Sequence, residues 1–526
     1  MKNINITLLF AFAATCYGHE TKISSTKKEK PELNSTEQIY KWLKTTSEVV
    51  SIVEEKSFRN VDFSQFMQEA LKAAVSSVDA HSAFIKNYEE ISDSTSGKFS
   101  GIGVSIISKA TEDDSMIIVD VLEDSPSQKA GLLAGDKIVA VEDEKLRGLS
   151  SDEVIHKMKG KRGTKVRLKI IRNKKPLEFT VERDIIKDQS SVCYHFPEQE
   201  VYYFGLKVFS ENSTGQMRKL LEKAKKDKNC NGIVLDLRSN PGGVLEVGVE
   251  MAGLFLPKGS LVVSTRDNKG KPVKSYSTKK DPVFDKSLPI FVLINNFTAS
   301  ASEILAGAMG YHSSKSNDDK DQKSPMVFIV GTESFGKGSV QEVIPVSNGG
   351  ALKMTTMLYF LPDGNSIQDI GVKPDILVKP KSTPSKEMKW IHELYGKEKS
   401  IKHHITAQEA EKVGKGEKPE LASKVDEREE KRKRELEIRK EKEDEAIDKD
   451  PLKDADDPDG KLSFQEKQER DIGSNSQIQA CVNMITMLNF AKEQKPDSVS
   501  SKKKALTFLK KHYLTDEEVK VKKLKE

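Results

Sequence analysis

The sequence predicts an α+β multidomain chain, and three textures carry that reading: a short helical unit, a β-rich stretch, and a long run in which strands alternate with helices. At 526 residues the chain is too long for one core, since domains typically span about 100–200 residues. It is 36% hydrophobic and 32% charged, with Lys+Arg 86 against Asp+Glu 81 and a net charge of +5. So even a balance gives no basis for a nucleic-acid partner.

The N-terminus places Met1-Lys2 before an apolar run from Ile6 to Ala14, then small residues around Cys16 and Gly18. This is the pattern of a secretory leader, expected over residues 1–18. The run is too short for a transmembrane helix, and no later stretch is long and apolar enough to cross a membrane. The expected location is therefore outside the cytoplasm, in a bacterial periplasm. Lipid anchoring through Cys16 is the alternative, although Thr15 before it fits a lipoprotein signal poorly. Cys193, Cys230 and Cys481 remain, with neither a disulfide framework nor metal-type spacing.

Residues 33–95 show helical periodicity: Ile39, Trp42 and Leu43, then Val49, Val50 and Val53, then Phe66, Met67, Leu71 and Ala74. Asn34-Ser35 and Asp62 are candidate caps. Residues 98–187 carry short β-branched runs punctuated by Gly, Asp and Pro, with one helical patch, SSDEVIHKMKG. Residues 188–380 alternate strands (VYYFGLKVF, GIVLDL, PIFVLIN, MVFIV) with helices, which argues for parallel strands in an α/β layer. Residues 381–526 form a charged, largely helical region. Its run KVDEREEKRKRELEIRKEKEDEAIDKD interleaves both signs, as a solvated helix or linker does, while ACVNMITMLNFAKE (480–493) suggests that the tail folds back.

Within the β-rich stretch, SPSQKAGLLAGDKIVAVEDEKL (125–146) and the loop Gly101-Ile102-Gly103-Val104 closely resemble a PDZ domain of the bacterial protease type. Glycines in such a loop let successive N–H groups converge on a carboxylate, and the strand that follows can pair with an extended peptide. The resemblance implies a pocket with Ile102, Val104 and Ile106 on one wall and Val154, Ile155 and Met158 on the other. For each of these apolar residues, filling the core is an equal alternative, because alternate strand residues face opposite ways. A charge-free pocket of this kind implies protein substrates or partners presenting free, apolar C-termini.

The stretch NNFTASASEILAGAM offers Thr298, Ser300 and Ser302 where a strand hands over to a helix, a place with unpaired N–H groups suited to an oxyanion or to simple helix capping. A nucleophilic serine needs a base. His312 lies in a polar segment that reads as an exposed loop. Lys337, in SFGKGSVQ after a buried-looking strand, could serve if desolvation leaves it neutral near pH 7. Gln341 follows four residues on. GIVLDLRSNPGG (232–243) ends a strand in a Gly-Gly turn and lacks the Gly-Lys-Ser/Thr ending of a P-loop.

Together these motifs resemble the C-terminal processing peptidases, or tail-specific proteases, over roughly residues 35–380, with VDAHSAFI (78–85) and LPDGNSIQDIGVKPD (361–375) as further matches. The resemblance implies a ClpP/crotonase-like protease core and a serine endopeptidase with Ser300 as nucleophile, Lys337 as base and Gln341 as support. Backbone N–H groups of Gly242 or Gly243 would join that of Ala301 in an oxyanion hole, an arrangement worth several kcal/mol. It implies no cofactor and no metal. The Ser300–Lys337 separation of 37 residues is long for the family, and the polar run HSSKSNDDKDQKS (312–324) reads as a surface insertion. A catalytically silent PDZ scaffold in the cell envelope, recruiting adaptors or self-associating through the C-terminal region, is the rival from another class. A Ser-His hydrolase using His312 is a second rival.

Overall fold

The computed structural model describes residues 35–86, 98–108, 116–122, 125–133, 135–146, 151–172, 175–187, 190–284, 287–315, 324–347, 349–380, 397–401, 403–417 and 464–513. The expected leader, the charge run after residue 423 and most of the expected 312–324 insertion lie outside them. The chain divides into two units, residues 1–67 and 68–526. In the first, α1 (Ser35–Lys56) precedes the opening of α2 (Phe63–Ser76). Asp62 Oδ1 caps α2, accepting from Ser64 N at 2.9 Å and Gln65 N at 3.1 Å, as its position before the apolar run suggests.

In the second unit, β1 (Ala83–Ile85) leads to a β-rich domain. It comprises β2 (Lys98–Gly101), β3 (Val104–Ser108), β4 (Met116–Val121), α3 (Pro126–Ala130), β5 (Lys137–Val141), β6 (Glu144–Lys145), α4 (Ser151–Met158), β7 (Lys165–Arg172), β8 (Lys175–Glu182) and β9 (Asp184–Lys187). The sheet runs β3-β4-β5-β7-β8, so the outer edge of β3 is unpaired among the described residues, and β2 pairs with β9. Ser125 caps α3, and Gly131, at φ +86, closes it in a left-handed conformation that glycine adopts without strain. Buried Asp136, in the turn before β5, is gripped by the Arg172 fork at 2.7 Å through both Nε and Nη2.

The α/β core follows: β10 (Ser191–Phe196), β11 (Val201–Leu206), α5 (Ser213–Lys225), β12 (Gly232–Asp236), α6 (Leu245–Ala252), β13 (Leu261–Asp267), β14 (Pro272–Ser277), β15 (Ile290–Ile294), α7 (Ala301–Lys315), β16 (Val327–Gly331), β17 (Ser339–Pro345), β18 (Ala351–Phe360) and β19 (Ile376–Leu377). Its main sheet runs β10-β11-β12-β15-β16-β19, parallel from β11 to β19. Strands β11, β12, β15 and β16 are buried along their whole length, which is why they read as unbroken apolar runs. The two-residue period sends Phe204, Leu235, Val292 and Ile329 to one face, with α5, α6 and α7, and Tyr203, Val234, Phe291 and Phe328 to the other. A second, antiparallel sheet runs β1-β18-β13-β14, with β17 beside β18.

That other face is covered by the tail. After α8 (Ala407–Gly414) and α9 (Phe464–Ser474), α10 (Ser476–Gln494) buries Ile478, Val482, Ile485 and Leu488 against the sheet, and α11 (Lys502–His512) adds Ala505 and Leu509. The packing of this α/β core therefore continues beyond residue 380, because a sheet buried on both faces needs a second helical layer and α10 and α11 supply it.

Candidate active site

The turn between β15 and α7 is fixed by its own hydroxyls and amides. Thr298 Oγ1 donates to Leu237 O at 2.8 Å and accepts from Asn295 N at 2.9 Å, while Ser302 Oγ donates to Asn240 O at 3.1 Å. Both residues are fully buried, so neither hydroxyl is available to a substrate. Ser300 between them has φ +57, in the left-handed region that costs a non-glycine residue about 1 kcal/mol, and it sits directly before α7. A strained strand-to-helix turn of this kind lifts one side chain clear of its neighbours.

What stabilises that backbone is Glu303, an acid in the first turn of α7. Its carboxylate is fully buried and accepts four hydrogen bonds: Ser300 N at 2.8 Å, Ser334 Oγ at 2.5 Å, Gly336 N at 2.8 Å and Lys337 N at 3.0 Å. One carboxylate thus pins the serine turn to the lysine loop. Burial pushes its pKa up to about 7 against the pull of those donors. Glu303→Gln, which swaps one acceptor oxygen for a donor facing N–H groups, is expected to lower kcat by about 100-fold with KM nearly unchanged, measured by steady-state peptide hydrolysis.

Burial, then the nearby Lys353 ammonium, hold the Lys337 amine below the usual lysine range, while Glu398, Glu303 and Asp79 pull it back up. Desolvation thus acts on Lys337 in the direction that a neutral amine requires. The Ser300 side chain lies beside the Tyr359 hydroxyl, which donates to the Lys337 carbonyl. No hydrogen bond joins Lys337 Nζ to Ser300 or to Gln341 among the described residues. The Gln341 amide is engaged elsewhere, donating to Ser339 Oγ at 2.9 Å and Thr355 Oγ1 at 3.2 Å.

The Gly-Gly turn lies against the serine: a Cβ on Gly242, at φ +95, would meet Ala299 O at 2.7 Å and Ser300 Cβ at 2.8 Å. Only glycine permits that approach. The Gly242 N–H donates to Asn240 Oδ1 at 2.9 Å, while Gly243 N–H has no acceptor among the described residues. Upstream in the same turn, Arg238 pairs with Asp236 at 2.6 Å and donates to Asn475 Oδ1 at 3.0 Å and Gln477 Oε1 at 2.7 Å, at the start of α10. The tail thus reaches the turn beside Ser300, a link across more than 230 residues that no local pattern signals.

His312 is not in an exposed loop, as its polar neighbourhood suggested. It sits in the last turn of α7, bonded to Leu261 O at 2.7 Å. Twelve residues of helix put it about 18 Å along the axis from Ser300. In the β-rich domain, Gly101 through Val104 link β2 to β3, with Gly103 at φ +80. Ile102, Val154 and Met158 are buried in that domain's core, whereas Val104, Ile106 and Ile155 are partly exposed beside it. Among the described residues no helix is long and apolar enough to cross a membrane.

A PDZ-type domain joined to an α/β core with a serine at a strained strand-to-helix turn defines a class of processing protease, and sequence comparison agrees. Residues 200–378 match Peptidase family S41 and residues 100–182 match the PDZ domain family. A carboxy-terminal-processing protease of Bartonella bacilliformis is 34% identical over 391 residues, 73% of this chain and 85% of that protein. The carboxy-terminal processing protease CtpB of Bacillus subtilis is 30% identical over 335 residues, 62% of this chain and 66% of that protein. Among solved structures, a photosystem II D1 C-terminal processing protease is similar at 24% identity with a TM-score of 0.42, covering 69% of this chain and 92% of that one. The chain belongs to the C-terminal processing serine proteases of peptidase family S41.

Proposed function

We propose that this chain is a serine endopeptidase that cuts exported proteins presented by their free, apolar C-termini, with a Ser300–Lys337 dyad. The observation that carries the reading is the Glu303 carboxylate. It ties the strained Ser300 turn to the loop of a half-buried, pKa-lowered lysine, so that nucleophile and base are held by one group. Ser300 Oγ, resting on Tyr359, turns to Lys337, which takes the hydroxyl proton as the oxygen attacks the scissile carbonyl. Lys337 then protonates the leaving amine, and water hydrolyses the acyl-enzyme by the same route in reverse. The Gly243 and Ala301 N–H groups hold the oxyanion. Gln341 acts through Ser339 and Thr355, bracing the strand that follows Lys337.

The unpaired edge of β3 accepts the substrate tail as an added strand, with its carboxylate in the Gly101–Val104 loop and its apolar end against Val104, Ile106 and Ile155. The leader sequence directs the chain to the bacterial periplasm. Mass spectrometry of products from a tailed substrate and its C-terminally amidated twin tests this. Efficient cleavage of the free tail and a drop of about tenfold or more in kcat/KM for the amide is expected. Equal cleavage of both contradicts tail recognition.

A further inference from the structure

The most telling cluster outside the matched family segment lies at Glu398, in a short helical turn (Glu398–Ser400) of the C-terminal region. Its carboxylate is almost fully buried and accepts from His81 Nε2 at 2.9 Å and Gln368 Nε2 at 3.1 Å. Its own N–H donates to Phe335 O at 3.0 Å. Gln368 in turn accepts Gly338 N–H at 2.7 Å through Oε1. Phe335 and Gly338 bracket Lys337, so one residue from beyond the family match holds both sides of the lysine loop. The neighbouring Lys397 pairs with Glu333, at the start of that loop.

We propose that Glu398 is a positioning residue for the Lys337 base, and that the C-terminal region is through it an integral part of the active site rather than an appended tail. This rests on the Ser300–Lys337 reading. Glu398 acts in two ways: its bonds to Phe335 and Gln368 fix where the amine points, and its carboxylate sets part of the field around it. The other groups facing the amine are Asp79, Glu303 and the Lys353 ammonium, with His81 bonded to Glu398 and the Tyr359 hydroxyl nearby. The amine must be neutral to act, so activity rises with pH through its pKa. Removing one buried anion favours the neutral amine and so moves the acid limb of the profile toward lower pH.

The test is the pH profile of kcat/KM for full-length wild type, Glu398→Gln and Glu398→Asp, with thermal melts on each. Glu398→Gln is expected to lower kcat about tenfold with KM unchanged and to move the acid limb down by about half a pH unit or more. Glu398→Asp keeps the charge but shortens the reach. It is expected to lose kcat with its acid limb in place. A Glu398→Gln enzyme with wild-type kcat and profile overturns the proposal, as does an equal limb shift in both variants. Should Glu398→Gln fail to fold, Glu398→Asp carries the test, and undiminished kcat there overturns it. Ser300→Ala in the same assay separates the two readings: if it still cleaves, the dyad has failed, whatever Glu398 does.

Discussion

Ser300→Ala is expected to lose cleavage by about 10⁴-fold or more while binding tailed substrate as tightly as the parent. The loss is large because the other hydroxyls of the turn cannot substitute: Thr298 and Ser302 are buried and bonded to Leu237 and Asn240. Binding should survive because recognition is assigned to the β-rich domain, whose pocket residues belong to a separate apolar cluster. Stability should stay within about 1 kcal/mol of the parent, since the exchange removes a single hydroxyl and leaves the Glu303 contact to the backbone intact. Measuring kcat by product release and Kd by peptide anisotropy separates these effects. Retained cleavage would remove Ser300 from the nucleophile's role.

Lys337→Met is the second large effect. It keeps the volume and removes the amine, and turnover is expected to fall by about 10³-fold or more at every pH up to about 10. A hydroxyl alone ionises too far above neutrality to attack unaided, and no imidazole stands ready, because His312 is bonded to Leu261 at the far end of α7. If activity returned as pH rose, hydroxide or another group would be acting as base. In wild type, burial and Lys353 lower the amine's pKa. Activity should therefore climb with pH earlier than an ordinary lysine allows.

The sequence reveals the layers of this molecule unevenly, for physical reasons. Strands β11, β12, β15 and β16 are visible as apolar runs because both faces are buried, and the Gly-Gly turn is visible because a Cβ there would collide with the serine turn. Ser300 and Lys337 stand out only when their motifs are taken together, since alone each reads as a cap or a surface turn. Glu303 is hidden for a different reason. An acid three residues after a serine at a helix start is the ordinary capping pattern, and nothing local shows that both of its oxygens reach a loop more than 30 residues on. The tail is hidden by charge. Glu398 sits among lysines in YGKEKSIKHH, and Asn475 and Gln477 meet Arg238 only through the fold. The apolar segment at 480–493 is the one part of the tail that announces its burial, and α10 bears it out.

The most direct test of the central claim is covalent labelling with a serine-directed fluorophosphonate, followed by peptide mass spectrometry, in wild type and Lys337→Met. A single adduct on Ser300 is expected, forming faster as pH rises in wild type and reduced to a trace without the lysine. An adduct on another serine, or equal labelling of Ser300 with Lys337 gone, would contradict a Ser300–Lys337 dyad.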